Sequence, residues 1–347
     1  MSGTLRVLQV FPAGRSTTNP YLVMLADALR GHDGVAVSNF TWRSSLLSSY
    51  DVVHLHWPEN LGSGHSPLKR VVRQVLTLLL VAKWRLSRTA VVRTLHNVHP
   101  PTGISRRERG LLRLIDRVTD HFIILNVHTP VTRGRPATLV PHGHYRGWFD
   151  RHARSELVRG QFGFAGLIRG YKGVEQLVTA FRSVAQAETS LLVAGNPSSP
   201  DLARDLRELA GGAGNIRFDL RFLPDEDLVR VIGTSELVVL PYRFMHNSGG
   251  LLAALSLERP VLVPRNEVTT DMAVEVGPGW VHLFDGDLSA QDLESALRSV
   301  RDTPPTGAPD LSARGWREAG SLHVQAYRSA LALVRGRRAN ARGTGTR

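Results

Sequence analysis

Short apolar runs recur along the chain, each followed by a polar break and then by a stretch of helical periodicity. Leu5–Phe11, Val35–Phe40, Asp51–Trp57, Ala90–Leu95, Asp120–Leu125 and Ala137–Val140 read as strands, rich in aliphatic and β-branched residues and bounded by Pro, Gly, Asn or His. Between them, Asn19-Pro20 opens a helix to about Leu29, with Pro where its missing donor costs nothing. Residues 67–90 and 105–118 read as further helices. The alternation breaks over the polar stretch Trp148–Arg159 and then resumes. Its strands are Gln161–Ile168, Leu191–Ala194, Ile216–Phe222, Leu237–Leu240, Pro260–Val263 and Val281–Phe284. The helices between and after them are Val174–Ala187, Asp225–Ile232, Leu251–Leu257, Thr270–Val276 and Ala290–Val300. Strands alternating with helices predict an α/β protein with doubly wound parallel sheets. Pro304–Asp310 reads as a linker, Ala319–Val334 as a last amphipathic helix, and the basic tail from Arg335 as disordered. The expected parts are therefore 1–150, 151–310, 311–334 and 335–347.

Length and charge narrow what such sheets could serve. The 347 residues suffice for two domains, each with its own core. The absence of cysteine rules out disulfides and thiolate metal sites and is compatible with a reducing cytosol. A net charge of +13, from 43 basic and 30 acidic residues, calls for an anionic partner: nucleic acid, an acidic membrane surface or nucleotide phosphates. No helix-turn-helix, RNA-binding or zinc signature accompanies the charge, so nucleic acid is not expected. The N-terminus enters a strand without the apolar core of a signal peptide, and no apolar run reaches the roughly 18 residues of a membrane span. The expected location is cytoplasmic, with a peripheral position on the inner face of the plasma membrane left open by one segment. That segment is 67–90, where Leu76–Val81 is flanked by Lys69, Arg70, Arg73, Lys83, Arg85 and Arg88, with Trp84 among them. It reads either as a core helix with solvated ends or as a helix lying on an anionic membrane, Trp at the interface.

The sharpest chemistry lies in Leu237–Arg265, where a strand, a loop ending Asn247-Ser248-Gly249-Gly250, an apolar helix and a second strand form a βαβ unit. Glycines directly before a helix let an anion approach backbone N–H groups at the positive end of the helix dipole. An ordinary N-cap and turn would use the same residues. Lys172-Gly173, also before an apolar helix, adds a cation.

Two such halves, with a helix returning after the second, resemble a GT-B glycosyltransferase: two Rossmann-like domains facing a central cleft. Phe164–Gly173 (FAGLIRGYKG) is similar to the run that opens the donor domain in the nucleotide-sugar family that includes bacterial mannosyltransferases. Val193-Ala194-Gly195 resembles its next strand–Gly element, and Pro241 with the Ser-Gly-Gly turn its phosphate helix. Pro12-Ala13-Gly14 is similar to its N-terminal Gly loop, and Thr94-Leu95-His96-Asn97 to the run whose His faces the donor sugar. The resemblance implies an acceptor domain over 1–150 and a donor domain over 151–310. It implies a hexosyltransferase with no cofactor beyond its nucleotide-sugar co-substrate and no bound metal. The family brackets its phosphate turn with two glutamates; Asn247 and Leu255 stand there, Leu167 stands where Arg is usual, and Asn97 replaces a common Asp. These departures look like the exopolysaccharide β-mannosyl and glucuronosyl branch.

On this reading Arg169, Lys172, Asn247, Ser248, Gly249 and Gly250 hold the donor diphosphate. Gly14, Gly195, Asn196, Arg221, Phe222 and Tyr242 contact the nucleotide or sugar. Inversion at the anomeric carbon needs a base, for which Glu59, His56, His96 and His99 are the acceptor-half candidates, whereas retention needs none. A zinc site finds no His-Glu-x-x-His pattern to build on. GDP-mannose is the first donor implied, with a lipid-linked or polysaccharide acceptor. A nucleotide-sugar epimerase of the same fold and a basic nucleic-acid-binding protein are the rivals.

Overall fold

The computed structural model describes residues 3–14, 19–98, 103–185 and 188–343 of the chain. The described residues form two compact units: 1–143 together with 314–347, and 144–313.

The first unit holds a six-stranded parallel sheet, order β2-β1-β3-β4-β5-β6, from β1 (Leu5–Gln9), β2 (Val35–Asn39), β3 (Val52–Leu55), β4 (Ala90–Leu95), β5 (His121–Ile124) and β6 (Ala137–Leu139). Its helices are α1 (Pro20–Arg30), α2 (Trp42–Leu47), α3 (Glu59–Gly62), α4 (Pro67–Ser87) and α5 (Arg106–Val118). The boundaries follow local chemistry. Asn19 caps α1 by accepting from Tyr21 N at 3.0 Å, with Pro20 in the first turn. Ser105 and Glu108 close a reciprocal capping box on α5. Leu80, Val81 and Trp84 of α4 pack with Val53, Leu55, Leu111 and Ile115 in the core. Trp84 is therefore a core residue, which removes it from the membrane-surface reading of 67–90; the rest of that helix is taken up below.

The second unit repeats the design: β7 (Val158–Ala165), β8 (Ser190–Ala194), β9 (Ile216–Asp219), β10 (Ser235–Val239), β11 (Val261–Pro264) and β12 (Val281–Phe284), in the order β12-β11-β10-β7-β8-β9, all parallel. Its helices are α6 (Arg146–Phe149), α7 (Val174–Arg182), α8 (Pro200–Ala210), α9 (Asp225–Thr234), α10 (Gly249–Ser256), α11 (Glu267–Val276) and α12 (Ala290–Asp302). The order reverses direction between β7 and β10, the switch point at which doubly wound sheets open a crevice at their carboxyl ends. In the first unit the same reversal falls between β1 and β3.

Several expectations need correcting. The strand expected over Ile216–Phe222 stops at Asp219, so Arg221 and Phe222 stand in the following loop. Glu59, expected in a loop, starts the short α3. Charge masked α8, whose Ser199 cap and Pro200 are ordinary helix-start signals. The last helix, α13, runs from Trp316 to Gly343. Residues 335–343 thus continue a helix where a disordered tail was expected, since Ala and Arg are good helix formers and cations suit a helix C-terminus. The α13 helix packs on α1, β4, β5 and β6, which is why the end of the chain belongs to the first unit. No helix among the described residues is long and apolar enough to cross a membrane.

Candidate functional site

The two carboxyl sheet edges carry different chemistry. In the first unit a cavity of about 390 Å³ opens beyond β3 and β4, lined among others by His56, Trp57, Glu59, Arg93, His96 and Asn97. Glu59 stands at the start of α3. Burial raises its carboxyl above the ordinary value, against a backbone hydrogen bond and the Arg93 charge, which lower it. Arg93 sits 3.4 Å from Asp116, and its Nε is buried with no hydrogen-bond partner among the described residues. Burial, and then the charges of His56, His142, His323 and Arg93, hold His96 well below the usual imidazole range. Its ring stacks on Trp57, centroids 4.2 Å apart at 18°, and meets the Tyr21 ring edge-on at 5.2 Å.

His56 is buried, 3.1 Å from His96 through Nδ1 and 3.0 Å from Gln9 Oε1 through Nε2. With both ring nitrogens engaged, it reaches the cavity's chemistry through His96. His54 shares its strand face, with ring centroids 4.2 Å apart, and bonds Thr94 and Tyr327. Among the described residues no group of three or more His, Asp or Glu is disposed to hold a metal ion. Gly14 ends the described part of the β1–α1 loop, exposed at φ +34. His99 lies outside the described residues. Sequence reading missed Gln9, Tyr21, Arg93 and Tyr327. A polar Gln inside the apolar run LRVLQVF was the one available signal, and nothing marked Tyr327.

In the second unit the loops after β7 and β10 meet at the switch point. Gly249 and Gly250 are the first two residues of α10, and Ser248 caps it by accepting from Leu251 N at 3.1 Å. The helix thus starts two residues earlier than the sequence suggested. The ordinary cap does not use up the helix start: Ser248 satisfies one N–H, while those of the two glycines have no acceptor within the helix. Tyr242 is buried, its hydroxyl hydrogen-bonded to Ser248. Lys172 Nζ lies 4.7 Å from the centre of the Tyr242 ring. Burial lowers the Lys172 pKa; Tyr171 opposes that shift and Arg169 adds to it. Arg169 is pinned by the carbonyls of Ile168 and Asn196, at 2.8 and 3.1 Å.

Two glycines are dictated by geometry here. Gly173 has φ +65, and a Cβ there would overlap the Pro241 carbonyl; Gly195 has φ +147, and a Cβ would overlap that of Gly166. Arg221 is exposed and bonded to Asp219 and Asp227 at 2.9 and 2.7 Å, while Phe222 is half-exposed beside it. Asn247 is half-buried before the cap, and Leu255 is buried in the core.

Residues 159–299 match the model of the family Glycosyl transferases group 1. A GDP-mannose:glycolipid 4-beta-D-mannosyltransferase of Xanthomonas campestris pv. campestris is 44% identical over 316 residues, 91% of this chain and 90% of that one. Among solved structures, Anabaena HepE in complex with UDP and glucose aligns with a TM-score of 0.60 over 98% of this chain and all of that one, at 13% identity. The catalytic domain of starch synthase IV from Arabidopsis thaliana aligns with a TM-score of 0.63 over 95% of this chain and all of that one, at 10% identity. These structures share the GT-B fold. The chain belongs to the group 1 glycosyltransferases and is an enzyme of GT-B fold that transfers a hexose from a nucleotide sugar.

Proposed function

We propose that this enzyme transfers mannose from GDP-mannose to a glycolipid, with the outer face of α4 lying on the membrane that holds the acceptor. The donor and acceptor classes are those in the name of the Xanthomonas relative. The observation in this chain that carries the lipid part is α4 itself. Leu68, Val72, Val75, Leu79 and Leu86 share one helical stripe and are 48–82% exposed. Exposed Lys69, Arg70, Arg85 and Arg88 flank the stripe, and Arg106, Arg107, Arg109 and Arg113 are exposed on neighbouring α5. An apolar stripe between cations suits an anionic bilayer surface.

The chemistry follows from a β product. GDP-mannose carries an α linkage, so a β product means attack from the opposite face and a base to accept the acceptor's hydroxyl proton. Glu59 fits that role best, because burial moves its carboxyl toward neutral pH, whereas burial moves His96 away from it. In this reading Arg93 and Asn97 bind acceptor hydroxyls, and His96 contacts the sugar. Arg169, Lys172 and the N–H groups of Gly249 and Gly250 stabilise the leaving diphosphate without a metal.

Two measurements test this. GDP at about a hundred times its dissociation constant should stabilise the protein by roughly 2.7 kcal/mol, read as a rise in melting temperature. UDP, dTDP and ADP should do less, and Lys172→Ala should abolish the effect; a wild type indifferent to every nucleotide overturns the donor assignment. Vesicles containing anionic phospholipid should bind the protein at low salt, and Val75→Asp with Leu79→Asp should weaken that binding about tenfold. A wild type that ignores the vesicles overturns the membrane part.

A further inference from the structure

Gln9, at the carboxyl end of β1, has no exposed surface and joins the final helix to the cavity wall. Its Nε2 donates to the Tyr327 hydroxyl of α13 at 3.0 Å, and its Oε1 lies 3.0 Å from His56 Nε2. These two contacts fix the proton order of a longer chain. An amide oxygen can only accept, so His56 carries its proton on Nε2. A neutral imidazole has one N–H, so His56 Nδ1 accepts, and its neighbour at 3.1 Å, His96 Nε2, must donate. On the other branch, Tyr327 accepts from Gln9 and gives its own O–H to His54 Nδ1 at 2.8 Å. His54 then carries its proton on Nε2 and donates to Thr94 Oγ1 at 2.8 Å. Every link has one donor and one acceptor, with all three histidines neutral. Turning the Gln9 amide over would reverse the whole His56–His96 branch.

We infer that Gln9 and Tyr327 are positioning residues that hold His96, through His56, in its Nε2–H form, with Nδ1 as its acceptor nitrogen. The inference rests on the reading of His96 as a substrate contact. An acceptor nitrogen and an N–H present opposite hydrogen-bonding characters, so the amide sets the character that His96 carries in the cavity wall. It also gives α13 a part in the acceptor unit's chemistry, since Tyr327 supplies the hydroxyl that orients the amide. The titratable and charged groups acting on His96 are His56, His142, His323 and Arg93, and Glu59 lines the same cavity.

The test is the ring nitrogen–proton correlation spectrum of the full ¹⁵N-labelled chain, which needs no substrate and so decides the proposal whatever donor the enzyme takes. The expected wild-type result is His54, His56 and His96 all protonated on Nε2; His96 protonated on Nδ1 overturns the proposal. Gln9→Leu should mix the His56 and His96 tautomers. It should also lower kcat with GDP-mannose about ten- to a hundredfold at an unchanged KM, because the wrong tautomer leaves binding elsewhere intact. Gln9→Glu, which still accepts from His56, should restore most of kcat and raise the pH at which the His56–His96 pair protonates. A folded Gln9→Leu protein with wild-type tautomers and kcat overturns the inference. Should Gln9→Leu not fold, Tyr327→Phe, which removes one oxygen, must show the same tautomer mixing, and an unchanged spectrum there rejects it. Failure of the donor assignment would show separately, as no GDP-mannose turnover with the wild-type tautomers in place.

Discussion

The two units share one strand–helix design yet build their sites from different materials. The second unit uses backbone: two glycines opening α10, a Ser cap and the tight crossings at Gly173 and Gly195, with Lys172 and Arg169 adding charge. The first unit uses side chains from β1, β3, β4, α3 and α13, buried and bonded to one another around a cavity. A backbone site suits a ligand whose binding group is always a diphosphate. A side-chain site can be rewritten residue by residue. The division predicts that damage to each side shows in a different kinetic constant.

The largest separation is expected from Glu59→Gln. Losing a general base costs about 10²–10⁴ in rate, so kcat should fall about a thousandfold, roughly 4 kcal/mol of barrier, at a nearly unchanged donor KM. The thermal stabilisation by GDP should survive, because Glu59 belongs to the first unit and the loops proposed to hold the diphosphate belong to the second. Lys172→Ala is the mirror image: GDP stabilisation should vanish while Glu59 stays in place. If Glu59→Gln instead raised only the acceptor KM, the carboxylate would be a binding group and the base would lie elsewhere.

A smaller effect distinguishes the glycine loops. Gly195→Ala places a side chain at φ +147 against the Gly166 carbonyl and should cost about 2–4 kcal/mol in urea unfolding. Gly14→Ala, at φ +34 with nothing within 4 Å of an added Cβ, should cost at most about 1 kcal/mol. Equal losses would mean that the two loops are not built on different principles.

What the sequence made legible follows the same division. Alternating apolar runs identified the strands of both sheets, and Gly-Gly before an apolar helix with Lys-Gly after β7 marked the two loops that meet at the second unit's switch point. A backbone site must be written in glycine, and glycine next to an apolar run is visible in one dimension. The first unit's site was legible only where its residues follow a strand, as Glu59 and His96 do. Tyr327 meets His54 across 273 positions, and no local spacing announces a contact that the fold alone creates. His56 was visible as a histidine but not as one with both nitrogens engaged. Likewise the run 67–90 gave its charges and apolar residues, while only packing revealed that Trp84 faces inward and Leu79 outward.

The smallest effect contrasts the units in acid. His142 and His323 are buried in the first unit and pushed down to about 4, mainly by burial. His142 Nδ1 donates to the Gly143 carbonyl with Arg314 nearby; His323 Nδ1 donates to Ala319 at 2.6 Å, and its Nε2 has no partner among the described residues. Unfolded, each protonates near 6.5. Below that value the unfolded chain binds protons that the native unit refuses, so stability is complete above about pH 6.5 and falls as pH drops toward about 4. Between pH 7 and 5.5 the pair should remove roughly 2 kcal/mol, with His54, His56 and His96 acting in the same direction. In the second unit His144 and His282 are lowered too, yet both are only partly buried. Hydrogen exchange followed by residue should therefore show the first unit losing protection first as pH falls, and His142→Gln with His323→Gln should flatten that slope. Equal loss in both units would mean that the buried histidines are not what sets the first unit apart in acid.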